Sequence, residues 1–206
     1  MGLAPRGVGG VVWDLGNVLI DWDPLAAIAA GVGEDEARRF LDAFDFRAWN
    51  HGPDSGGSWA DAEAWLDAEH PQWSQHGRAY RPHFAASLLG EVPGSVELVR
   101  RLHGAGVPQW GLTNWSAELY PHAPATFDFL ALLEDVVVSG VEGLAKPDPA
   151  IYERLVARTG HALSELVFVD DRTDNVEAAA ACGMDALLFT DAETLRAALL
   201  ERRLPV

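Results

Sequence analysis

Asp14 closes the apolar run GGVVWD, Thr113 and Asn114 close VPQWGLTN, and the pair Asp170–Asp171 closes ELVFVDD. A fourth signal is Lys146 in GLAKPDPAIY, the only lysine among 15 Lys and Arg residues. Arginine is a planar fork and lysine a compact point charge on a flexible stem, so a confined site does not accept one for the other. Each position taken alone has a plain structural use: a turn cap, a strand residue, a solvated loop, a surface charge. Taken together they describe chemistry. Asp14, Asp170 and Asp171 in one place repel, which calls for a cation or for raised pKa values. All-oxygen donors of this type suit Mg²⁺, which takes one or two carboxylates and fills its shell with water and phosphate oxygens. A metal, an ammonium and a hydroxyl around a carboxylate make a site for a phosphoryl group. The carboxylate can be the nucleophile, with positioning and charge neutralisation supplying most of the catalysis.

Residues so distant in sequence meet only if the fold carries them to one edge. GGVVWDLGNVLI reads as a buried strand ending near Asp14. Residues 24–90 look helical throughout, with no clear strand. Ala37, Phe40, Leu41, Phe44 and Ala48 predict one amphipathic helix over 35–49, HGPDSGGS a loop, WADAEAWLDAEH a helix capped by Ser58, and 73–89 a third helical stretch. From residue 93 strands and helices alternate. DPAIYERLVARTG carries Asp148 as N-cap and Gly160 past its end, and DNVEAAAACG begins with Asp174 as N-cap and Glu177 three residues on. Such alternation predicts an α/β fold, a doubly wound parallel sheet with a small inserted α-helical cap. The core is expected over 1–22 and 91–206 and the cap over 23–90. Ligands in such sheets bind outside the carboxyl ends of the strands, which is where the four signals fall.

Composition narrows the partners. The formal charge is −16 and the pI about 4.6, so the global field repels nucleic acid and anionic membrane surfaces. A small anionic substrate then needs local positive charge. A hydrophobic share of 49% allows a sizeable core. One cysteine, Cys182, excludes an internal disulfide and fits a reducing compartment. With no apolar segment of spanning length, the expectation is a soluble cytoplasmic protein, monomer or homodimer, acting on a small phosphorylated metabolite.

VVWDLGNVL, GLTNWS, LAKPDPAIY and VFVDDRTDNVEAA, in that order and at these intervals, resemble the four motifs of the haloacid dehalogenase superfamily. The segment 24–90 is similar to the small cap of one branch, and DLGNVL with LTNWS looks like the bacterial sugar-1-phosphate phosphatases more than the true dehalogenases. The resemblance implies Asp14 as nucleophile, forming an aspartyl-phosphate. It implies Mg²⁺ at Asp14, the Gly16 carbonyl and Asp171, with Asp170 in support. Thr113 and Asn114 would hold phosphoryl oxygens, Lys146 would balance nucleophile and phosphoryl group, and Trp115 would wall the crevice. Asn175 stands where many relatives carry a second acid.

One departure matters. Most phosphatases of this family carry a general acid two residues after the nucleophile, where this chain has Gly16. Loss of a general acid costs about 10²–10⁴-fold. Asp21 or Asp23 could serve instead, the substrate could have a good leaving group, or the protein could be a weakly active or non-catalytic binder. A metal-free 2-haloacid dehalogenase is the other alternative; dehalogenases of the family have an aromatic residue at the position of Gly16 and lack the paired acids. Substrate choice is expected in the cap, where Trp22, Trp49, Trp59, Trp65 and Trp73 are mostly core and Arg47, His51 and Arg81 are polar candidates.

Overall fold

The computed structural model describes residues 7–206; the expected start of the core at residue 1 lies outside the described residues. Strand β1 (Gly10–Trp13) is the centre of a five-stranded sheet. Val11, Val12 and Trp13 are fully buried, Val11 and Trp13 packing into one apolar cluster and Val12 into another. A strand covered on both faces has no polar side to show, which is why this segment reads as an unbroken apolar run. Gly10 is required by packing: a Cβ there would lie 2.4 Å from the Trp110 ring and 2.6 Å from the Pro108 carbonyl oxygen.

A two-stranded antiparallel ribbon, β2 (Ile20–Trp22) and a later strand β3 (Leu88–Glu91), brackets the helical insert. β3 was not expected. It forms because the chain must return beside the point where it left, and the two exposed backbones satisfy each other. Between them lie α1 (Pro24–Val32), α2 (Glu34–Ala43), α3 (Phe46–Asp54), α4 (Trp59–Glu69) and α5 (Ser74–Tyr80), with a 3₁₀ turn at Phe84–Ser87. The single helix expected over 35–49 is therefore two. Phe44 is extended, and Asp45 turns its carboxylate onto the Ala48 N–H at 3.0 Å, starting α3. An Asp bonding to nearby backbone competes with helix propagation and favours a cap. The expected loop at HGPDSGGS is also corrected: α3 runs on through Gly52 and Pro53 to Asp54. Ser58 caps α4 as expected, accepting from the Asp61 N–H. Phe40, Phe46, Trp49, Trp59 and Tyr80 form the aromatic core of this insert, with Phe46 and Tyr80 ring centroids 4.9 Å apart.

Strand–helix alternation resumes with α6 (Ser95–Gly104), β4 (Gln109–Thr113), α7 (His122–Thr126), β5 (Asp135–Val138), α8 (Ser139–Glu142) and α9 (Pro149–Thr159). It ends with β6 (Leu166–Asp170), α10 (Thr173–Ala181), β7 (Asp185–Leu188) and α11 (Ala192–Glu201). The sheet order is β5-β4-β1-β6-β7, all parallel. α6 and α11 bury Val99, Leu102 and Leu199 against one face, and α9 and α10 bury Ile151, Leu155 and Ala179 against the other. Asp148 caps α9, and Gly160 closes it with φ 71°. Asp174 is not the cap of α10: it sits in the first turn and pairs with Arg172, the N-cap residue, at 2.6 Å. Among the described residues no helix is long and apolar enough to cross a membrane.

Candidate active site

β1, β4 and β6 run parallel and in register, with Trp13 opposite both Gly111 and Val169. Their carboxyl ends therefore reach one edge together and deliver Asp14, Thr113 and Asp170. The chain leaves β1 through a tight turn. The Asp14 N–H donates to the Val169 carbonyl at 2.8 Å, and Asn17, at φ 57°, donates to the Ile20 carbonyl at 2.7 Å. Asn tolerates this left-handed conformation better than most residues.

Lys146 arrives from the loop between α8 and α9. The Asn114 side chain holds it by the backbone in both directions, Nδ2 donating to the Lys146 carbonyl at 2.8 Å and Oδ1 accepting from the Lys146 N–H at 2.9 Å. Lys146 is buried, and its Nζ lies 3.0 Å from Asp14 Oδ1, 2.7 Å from Asp170 Oδ2 and 2.8 Å from the Leu112 carbonyl oxygen. Two of its three donors hydrogen-bond the Leu112 carbonyl and Asp170, and Asp14 is held as an ion pair.

Asp170 is similarly enclosed. Its Oδ1 accepts from the Arg172 N–H at 2.8 Å, and the buried Asn175 amide donates to both carboxylate oxygens at 3.0 and 3.1 Å. Asp171, half-buried, faces the cavity with Asp14. Oxygens of Asp14, Asp170 and Asp171 lie within 4.8 Å of one another.

One ammonium cannot balance three carboxylates. Burial pushes the Asp14 carboxyl up to about 7; Lys146 opposes the rise, and Asp170 and Asp171 add to it. Burial and Asp170 raise Asp171 as well, against Lys146 and Arg47. Burial disfavours the Lys146 charge, but Asp14 and Asp170 outweigh it and hold its pKa above the ordinary value. The deficit of positive charge and the hard oxygen donors fit a hydrated divalent cation.

A cavity of about 490 Å³ opens over these groups. Asp14, Gly16, Asn114, Lys146 and Asp171 line its floor, and Trp22 lines it from β2. From the insert, α3 contributes Arg47, Asn50, His51 and Asp54. Arg81 is elsewhere, paired with Glu63 at 3.0 Å. Thr113 is buried at the carboxyl end of β4, opposite Val138 in the sheet. Trp115 donates its N–H to Ser139 Oγ at 2.9 Å and lines a smaller cavity beside Gly16. Asp21 is exposed on β2, and Asp23 caps α1 through the Leu25 N–H; neither lines the cavity. Sequence reasoning missed Asn50 and Asp54. Both lie in or beside HGPDSGGS, whose Gly and Pro content reads as a loop.

The parallel sheet thus gathers three carboxylates and a lysine at its strand ends. The chain belongs to the haloacid dehalogenase-like hydrolases, whose family model matches residues 8–183. Among curated proteins it is similar to the sesquiterpene phosphatase astK of Aspergillus oryzae, 26% identical over 190 residues, covering 87% of this chain and 89% of the relative. Among solved structures it resembles a HAD family enzyme of Bacteroides thetaiotaomicron, with TM-score 0.73 at 16% identity, covering 94% and 99% of the two chains. The same enzyme in complex with magnesium and inorganic phosphate superposes with TM-score 0.71 at 17% identity, over 90% and 96%.

Proposed function

We propose that this protein is a Mg²⁺-dependent phosphomonoester hydrolase that acts on a small phosphorylated metabolite through an aspartyl-phosphate on Asp14. The observation that carries this reading is the Lys146–Asp14 contact of 3.0 Å at the floor of a cavity that Asp171 also lines. Asp14, the Gly16 carbonyl and Asp171 would hold the metal, and Asp170 would support it by fixing Lys146. When bound, Mg²⁺ supplies charge neutralisation to the phosphoryl oxygens.

Asp14 attacks phosphorus as a carboxylate. Lys146 orients that carboxylate and favours its ionised form, as an opposite charge at this range does. Asn114 acts through Lys146 by fixing its backbone. The insert, residues 23–90, serves as a cap over the core of 1–22 and 91–206 and excludes water during transfer. Arg47 and His51 on α3 face the body of the substrate, and Trp115 packs the wall beside Gly16. Thr113, at the carboxyl end of β4, would hold phosphoryl oxygens together with the backbone that follows it.

The polar lining by Arg47, Asn50 and His51 favours a hydroxylated substrate such as a sugar phosphate. A second reading, an apolar phosphomonoester, has its own observation. A cavity of about 690 Å³ lined by Phe44, Trp49, Trp65 and Trp73 adjoins the first and shares Asp45 and Ala48 with it. The sesquiterpene phosphatase relative is consistent with that reading.

The test is phosphate release from sugar phosphates, nucleotides, phosphoglycolate, acyl phosphates and prenyl phosphates, with Mg²⁺ or with EDTA. Mg²⁺-dependent release that disappears in Asp14→Asn supports the proposal. Halide release from 2-chloropropionate in EDTA, with no phosphate release, would instead favour the dehalogenase alternative. Wild-type rates no higher than those of Asp14→Asn would leave a binding protein.

A further inference from the structure

We propose that Asp54, delivered by α3, is the general acid and base of the reaction, taking the place of the carboxyl missing at Gly16; this rests on the phosphatase reading above. Gly16 is an absence without a steric cause. A Cβ built there meets nothing within 4 Å, and its backbone is outside the left-handed region. The space beside it is open to whatever else lines it. Asp54 lines the main cavity with Asp14 and Gly16, and it also lines the adjoining cavity of about 40 Å³ with Gly16, Trp22 and Trp115.

The carboxyl is held in place. Asn50 Nδ2 donates to Asp54 Oδ2 at 2.6 Å. The Asp54 carbonyl accepts from Ser139 Oγ at 2.5 Å, and that same hydroxyl accepts from the Trp115 N–H, so the end of α3 is tied to the core beside the Asn114 loop. Gly56 seals the junction: a Cβ there would lie 2.9 Å from the Gly143 Cα.

The surrounding charges leave Asp54 alone. Lys146 is taken by Asp14 and Asp170. Arg47, on the same helix, acts on Asp171, and Arg172 is paired with Asp174. His51, exposed on α3, has its Nε2 3.1 Å from Ser55 Oγ. Asp45 is taken up capping α3, and Tyr80 of α5 lines the smaller cavity together with Asp54. Among the described residues Asp54 has no ion-pair partner. Burial therefore pushes its pKa up to about 7, against a backbone hydrogen bond from Ser116. A proton donor is most effective with a pKa near the working pH.

The step balances. Asp14 attacks phosphorus, the bond from phosphorus to the substrate oxygen breaks, and the Asp54 proton goes to that oxygen, releasing an alcohol. Asp54, now a carboxylate, takes a proton from the water that attacks the aspartyl-phosphate. Inorganic phosphate leaves and both carboxyls return to their starting states.

The experiment is kcat/KM with Mg²⁺ for p-nitrophenyl phosphate, whose leaving oxygen needs no proton, and for an alkyl phosphate, whose leaving oxygen does. Asp54→Asn is expected to lose about 10²–10⁴-fold on the alkyl ester and at least about tenfold less on the aryl ester. Adding Gly16→Asp to that variant is expected to recover at least about tenfold on the alkyl ester, by returning an acid to the open position. Equal losses on both esters, or no loss on the alkyl ester, would overturn the inference. Wild type needs no folding control: with the donor in place its rates depend little on the leaving group, and a steep dependence also overturns the inference. A wild type inactive on every ester removes the phosphatase reading and this inference together, whereas an active wild type with an indifferent Asp54→Asn removes this inference alone.

Discussion

The ammonium of Lys146 bridges Asp14 and Asp170, at 3.0 and 2.7 Å, and Asp170 is fully enclosed by protein. The bridge joins the ends of β1 and β6, neighbours in the sheet. Removing the cation leaves two buried carboxylates facing each other, and breaking a buried pair from one side costs about 3–5 kcal/mol. Lys146→Met should lose stability on that scale in denaturant unfolding and lose phosphate release. Lys146→Arg should also fail, because a planar fork cannot bond Asp170 and the Leu112 carbonyl and reach Asp14 within the same buried volume. An Arg variant with wild-type stability and rate would show that only charge matters there.

Asn114 acts at one remove. Its side chain satisfies both the N–H and the carbonyl of Lys146. Asn114→Ala should cost about 1–3 kcal/mol, the range for leaving buried polar groups unpaired. It should lower kcat more than it raises KM, since the displaced group is the ammonium at the nucleophile. Asn114→Asp keeps the acceptor and loses the donor, so its defect should be the smaller. A pure KM effect in both variants would mean that Asn114 contacts substrate instead.

Mg²⁺ should stabilise the fold, because a ligand that binds only the native state raises the melting temperature by mass action. The increment should shrink strongly in Asp171→Asn, whose carboxylate faces the cavity. Calorimetric titration of the same variant checks the affinity directly. Equal Mg²⁺ stabilisation of Asp171→Asn and wild type would remove Asp171 from the site.

The strand ends were legible because buried parallel strands are short apolar runs that stop at a polar residue. Asp14 and Asp170 follow this rule, and Lys146 stood out by type. The insert was less legible. Phe44 and Asp45 interrupt a helical period that hydrophobic spacing alone continues, and Gly52 and Pro53 disguise the end of α3 as a loop. The ribbon partner β3 owes its existence to β2, on the far side of the insert, and local patterns carry no such pairing information. Asp54 was invisible for a related reason. Its neighbours Ser139, Ser116 and Tyr80 are remote in sequence, arriving from the core and from α5. The enclosed state of Asp170 likewise depends on Asn175, one helical turn further on, and on a lysine from another loop.

Asp54 also makes a prediction that needs no substrate. Its ordinary pKa is near 3.8 and burial pushes it up to about 7 in the folded protein. The native state thus holds this proton more tightly than the unfolded chain does. Below about pH 4 both states are protonated and the group is neutral to stability. As pH rises from about 4 to about 7 the unfolded chain loses the proton first, so the unfolded state gains and folding stability falls, by up to about 1.4 kcal/mol per pH unit. Asp54→Asn removes this contribution while keeping the shape of the side chain. In metal-free protein, the stability of Asp54→Asn relative to wild type should therefore climb through that window and level off above pH 8. Denaturant unfolding of both proteins at a series of pH values checks the sign. A difference that stays flat, or that favours wild type as pH rises, would mean that Asp54 ionises freely and is solvated, contrary to its burial and its hydrogen bond from Asn50.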